Sequence, residues 1–115
     1  MQVYLLTAEG IAGSYEGAFR LTPRVLLRNL PRNIIMPMPE DPLELRLPNG
    51  RLLQAHVASF GVDTWRDAEG NLLIDMDPAN PVLSLTITGV ELSDILPGTE
   101  IWLREPKFQA SDKPS

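Results

Sequence analysis

The side chains in this 115-residue chain with the types and spacing to do chemistry are one histidine, a run of carboxylates and a regular series of arginines. His56 is the single imidazole, and there is no cysteine. A zinc ion held there would have to draw on carboxylates, which is uncommon for structural zinc. Ser59 or Ser84 could complete a Ser-His-Asp set by composition, but no Gly-x-Ser-x-Gly elbow presents either one as a nucleophile. Asp63, Asp67, Glu69, Asp75 and Asp77 form the densest acidic stretch. Paired carboxylates run glycosidic chemistry when held about 5–10 Å apart across a cleft. Residues 63–77 with His56 therefore define the enzymatic alternative, a small hydrolase or metal-dependent enzyme. Asp75 and Asp77 also open a calcium-loop-like triplet, but the loop's sixth-position Gly would fall on Asn80 and its twelfth-position Glu on Thr86. Solvated hairpin charges that guard a strand edge account for the same residues more simply. No catalytic residue, metal ligand or cofactor is assigned.

Gly10, Gly13 and Gly17 lie at short intervals in residues 9–17. They match neither the GxxxxGK[ST] phosphate loop nor the GxGxxG dinucleotide fingerprint, so this stretch reads as a long turn or hairpin loop. Arg20, Arg24, Arg28 and Arg32 recur every four residues, a spacing that would line one helix face. Pro23 and Pro31 interrupt that helix, and Val25-Leu26-Leu27 reads as extended chain. An RNA-binding surface would need these four arginines to converge. The net charge of −5 argues against it, because phosphate neutralisation calls for a basic stripe.

The remaining candidates are apolar. Trp65 sits in the stretch Gly61–Arg66 beside Phe60, as an interface anchor would. Ile34, Ile35, Met36 and Met38 lie in Pro31–Pro42, where four prolines exclude both a helix and a central strand. They either plug the core or face a partner. Phe60, Trp65, Ile35, Met36 and Met38 are accordingly the candidate partner-binding residues. Trp102, between Ile101 and Leu103, faces the opposite side of its strand from both.

These residues must be positioned by short strands. Residues 2–7 alternate, and a second extended stretch runs through 18–28. Leu43-Glu44-Leu45-Arg46-Leu47 alternates strictly, Pro48-Asn49-Gly50-Arg51 turns, and Arg51 to Phe60 returns as a hairpin partner. On that return, Leu53, Ala55, Val57 and Ser59 share one face. A second hairpin turns at Asp67–Asn71 and returns through Leu72-Leu73-Ile74. Val82 to Thr88 is another strand, Glu91–Leu96 winds one helical turn, and Thr99–Arg104 is the last strand. Many short strands without a long helix predict an all-β barrel or sandwich.

Residues 43–104 resemble the β-barrel domain that follows the GTPase domain in translation factors of the elongation factor Tu class. The resemblance rests on Leu53–Phe60, the Pro-bounded turn at 78–81, and the run from Val82 through Gly89, Val90, Ile95, Pro97 and Gly98 to Ile101. It implies a small closed barrel in which Gly89 bends the chain, Ile95 plugs an end, and residues 99–103 pair at the seam. Residues 61–77 exceed the usual connection by an extra hairpin. The GTPase domain, its phosphate loop and its switches have no counterpart, so GTP hydrolysis is not implied, and no RNA-contact residue transfers.

The sequence thus predicts one all-β domain, a small translation-factor-like β-barrel over 1–106 with one short helical turn, and a mobile tail over 107–115. Hydrophobic content of 43% and charged content of 22% are ordinary for a globular domain of this size. With no basic leader and no long apolar run, the expectation is a soluble cytoplasmic protein away from membranes. The expected function is a non-catalytic binding or assembly module acting on a protein partner or on itself.

Overall fold

The computed structural model describes residues 2–75 and 79–109, and the side chains of all of these except Asp63, Trp65 and Asp75. The architecture is all-β, with ten strands and two single-turn 3₁₀ segments among the described residues. In chain order the strands are β1 (Val3–Ala8), β2 (Gly10–Tyr15), β3 (Ala18–Thr22), β4 (Val25–Leu26), β5 (Pro42–Arg46), β6 (Leu52–Gly61), β7 (Asp63–Arg66), β8 (Leu72–Asp75), β9 (Val82–Thr88) and β10 (Thr99–Leu103). The 3₁₀ turns are η1 (Leu27–Asn29) and η2 (Leu92–Asp94).

Eight strands form one antiparallel sheet in the order β1-β10-β5-β6-β9-β3-β2, with β4 also on β9. The Leu43, Leu45 and Leu47 alternation buries its leucines completely or nearly so, in one core cluster with Leu85, Ile87, Ile101 and Leu103. Burying each such side chain stabilises the fold by roughly 1.5–3 kcal/mol. The stretch 18–28 is a strand broken at Pro23, after which Val25 and Leu26 rejoin the same edge of β9 opposite Leu83 and Val82. Ile95, directly after η2, is buried.

The sheet is an open path and does not close into the expected barrel, because its edge strands β1 and β2 do not pair with each other. They are instead consecutive in the chain. The Ala8 carbonyl accepts from the Gly98 N–H at 2.8 Å, and the Glu9 N–H donates to the Thr22 carbonyl at 2.7 Å. The C=O and N–H of one trans peptide point in opposite directions, so the single Ala8–Glu9 unit bonds to both halves of the sheet.

Two other expectations shift. Only Glu16 and Gly17, at φ 49° and 82°, make the turn expected over 9–17. Positive φ at both central residues is the two-residue hairpin geometry that matches strand twist, so Gly10 and Gly13 lie in β2 itself. The chain over 107–109 is held rather than loose: Lys107 O accepts from Ile35 N at 2.7 Å, Gln109 N donates to Asn33 O at 2.8 Å, and Phe108 packs on the core. Residues 110–115 of the expected tail lie outside the described residues.

Candidate functional site

The residues with chemical potential are distributed over four separate places. On the solvent face of β1, β10 and β5, Arg46 lies 4.1 Å from the centroid of the Trp102 ring, and Tyr4 meets that ring edge-on at 5.4 Å. Arg46 Nε donates to Glu44 at 2.6 Å, a second guanidinium nitrogen donates to Gln2, and Trp102 Nε1 donates to Glu100 at 3.0 Å. The Arg46 hydrogen bond is the main reason the Glu44 carboxyl sits below its usual pKa. Each of these polar groups has a partner within the patch, and Arg46 covers the indole. Trp102 is therefore occupied in holding strands together.

Further along the solvent face, two adjoining depressions of about 340 and 270 Å³ share Arg20, Ser59 and Thr86. Ser59 reaches this face because of a bulge between Val57 and Ser59. The extra residue, Ala58, reverses the phase of β6, so Ser59 points outward instead of sharing the face of Val57 as strict alternation predicts. The lining offers hydroxyls and one guanidinium, but His56 is not part of it. His56 is exposed on β6 opposite Pro42 and Thr88, with its Nδ1 side toward Gly89.

Among the described residues, the acidic side chains of this stretch form no metal-holding cluster with His56. Asp63 and Asp75 face each other in register at the base of the β7–β8 hairpin, whereas Asp67 and Glu69 lie at its turn. Asp67 organises that turn. Its Oδ1 accepts from the Glu69 and Asn71 N–H groups at 3.0 and 2.9 Å, and Oδ2 accepts from the Asn71 amide. The Asn71 backbone bond is foremost in lowering its pKa. Asp77 lies outside the described residues, and among those described no three acidic or imidazole groups could hold a metal ion. No helix among them is long and apolar enough to cross a membrane.

The four arginines do not converge. Arg20 lines the depressions above, Arg24 lies beside Tyr4 and Pro23, and Arg28 and Arg32 flank a third hollow. That hollow, of about 500 Å³, is floored by Leu27, Leu30, Pro31 and Met36.

Of the candidate partner-binding residues, Ile35, Met36 and Met38 are exposed, at 41, 37 and 60%. Ile34 beside them is buried and bridges to Phe108. Phe60 packs against the core and belongs to the fold. Trp65 lies on β7 opposite Leu73, and its side chain is outside the described set. The residues that sequence reasoning missed are Leu72, Leu73 and Ile74, exposed at 56, 36 and 55%. Among the described residues, strands β7 and β8 pair only with each other, as an arm continuing from β6. Three consecutive apolar residues resemble a buried strand, and only the separation of the arm from the main sheet shows otherwise.

Comparison with protein-family models, curated proteins and solved structures finds no match for this chain.

Proposed function

We propose that this chain is a non-catalytic binding or assembly module that engages a protein through its β7–β8 arm and the exposed Met36 region. The observation that carries this reading is the arm itself. A two-stranded hairpin is marginally stable alone in water, and this one presents Leu72 and Ile74 on one face and Leu73 on the other, all exposed. Exposed apolar residues gathered on one projecting element mark interaction sites. The resemblance to the translation-factor barrel belongs to the same proposal. Its support is the corner in which Gly89 at φ 94°, buried Ile95 and Gly98 at φ 95° occur in the implied order.

The test is affinity capture from native extract with the intact chain and with a Leu72→Ser, Ile74→Ser variant, each checked for folding by circular dichroism. A discrete set of proteins retained by the first and lost by the second supports the module. Identical sets from the two baits would sink it.

A further inference from the structure

The arm and the hollow beside η1 are complementary in charge and alike in their apolar content. Residues 63–75 carry four carboxylates against the single guanidinium of Arg66, a net −3 within a chain whose total is −5. The hollow has the opposite sign: Arg28 and Arg32 flank its floor of Leu27, Leu30, Pro31 and Met36, and no carboxylate among the described residues lines it.

Both features are rooted at the same end of the sheet. Gly61, from which the arm departs, pairs with Ser84 on β9. The Leu27 N–H at the start of η1 donates to Pro81 O at 3.1 Å, immediately before β9. Within one chain the two do not cover each other, since Arg28 and Arg32 are not buried and Leu72 and Ile74 are exposed. Arm against arm would bring two clusters of −3 together, which like-charge repulsion opposes. Arm against hollow joins opposite charges and buries apolar surface from both sides. Because both lie at one end, a two-fold axis passing there sets each arm against the other copy's hollow and closes the assembly.

We infer that the chain forms a two-fold dimer by reciprocal exchange, the acidic β7–β8 arm of each copy docking in the Arg28/Arg32 hollow of the other. This rests on the proposed assembly role and names a second copy of the chain as the partner.

Sedimentation velocity on the purified full chain, over a wide concentration series at low and high salt, tests it. The expected result is a monomer–dimer equilibrium weakened by salt. R28E/R32E makes the hollow acidic and A68K/E69K makes the arm tip basic while sparing Asp67. Each variant alone is expected to dissociate at least roughly tenfold more readily, the loss of about 1.4 kcal/mol or more of charge complementarity. An equimolar mixture of the two is expected to recover the dimer, because an acidic arm meets a basic hollow at one contact and a basic arm tip meets an acidic hollow at the other. L72S/I74S, with unchanged charge, is also expected to weaken association. A wild type that stays monomeric at every concentration overturns the dimer, as does growth into open polymers. A dimer indifferent to R28E/R32E and A68K/E69K overturns this interface. If a strictly monomeric protein still captures partners through Leu72 and Ile74, the exchange fails while the binding-module reading stands.

Discussion

Glu40 occupies a backbone conformation that favours glycine, with φ 80°. It is held there from outside: its N–H donates to Val57 O at 2.8 Å, while the next residue, Asp41, donates to Met38 O and accepts from Met38 N. A left-handed conformation costs a side chain-bearing residue roughly 1–2 kcal/mol. Glu40→Gly removes that strain and adds back some unfolded-state entropy, so a net stabilisation of about 0.5–1 kcal/mol is expected from urea denaturation. A loss of stability would show that the Glu40 side chain itself makes a needed contact. At Asp67 the relevant variable is pH. Its folded pKa is depressed by bonds that need the carboxylate. The support it gives the arm turn is therefore present at neutral pH, above the unfolded aspartate value near about 4, and is lost as pH falls through the lower folded value. Amide shifts of Glu69 and Asn71 are expected to titrate together below about pH 4, and to stay flat there in Asp67→Asn. Independent titration of the two amides would remove Asp67 as their common acceptor.

Among the elements, strands with one solvated face were legible beforehand. Leu43–Leu47 alternates because only one face is buried. Val82–Thr88 alternates in sequence with Leu85 and Ile87 in the core, although Ser84 on its other face is buried too. Strand β2 was not legible: Gly10, Ala12 and Gly13 show no alternation, since an exposed edge strand with a bulge near Ala12 buries little. The outward turn of Ser59 was hidden for a related reason, because one inserted residue reverses every later side chain and composition does not mark where it sits. The candidate surface was legible only in part. Met36 and Met38 stand exposed as one of two readings allowed, whereas the Arg28/Arg32 hollow depends on where Pro31 sends the chain. Glycine corners supply the test at this scale. A Cβ on Gly89 would lie 3.3 Å from His56 Nδ1 at φ 94°, whereas one on Gly50 meets nothing within 4 Å at φ 89°. Both alanine variants bear the cost of the left-handed backbone, about 1 kcal/mol or more. Gly89→Ala is expected to lose more, because the imidazole must also move. Equal losses in thermal denaturation would mean His56 yields freely.

For the whole molecule, the connection between the sheet's two ends is decisive. Val3, Leu5 and Leu6 are buried, and a bulge between Tyr4 and Leu6 lets the two adjacent leucines both face the core. Removing residues 1–9 would strip β10 of its outer partner and also delete the Ala8–Glu9 peptide that bonds to Gly98 and Thr22. The expected outcome is loss of a cooperative thermal transition, not a modest shift of its midpoint. A truncated chain that still melted sharply would show that β2 to β10 hold together without that strand.

The pairing of β1 with β10 also sets an order of events in time. Val3 lies opposite Leu103, a hundred residues later in the chain. During synthesis β1 leaves the ribosome well before its partner, so its buried side chains stay uncovered while nearly every other strand is being made. Pairings this distant must close large loops before they are rewarded, which slows folding relative to local contacts. Nascent chains are thus obliged to pass through a long interval in which the apolar face of β1 has no partner strand.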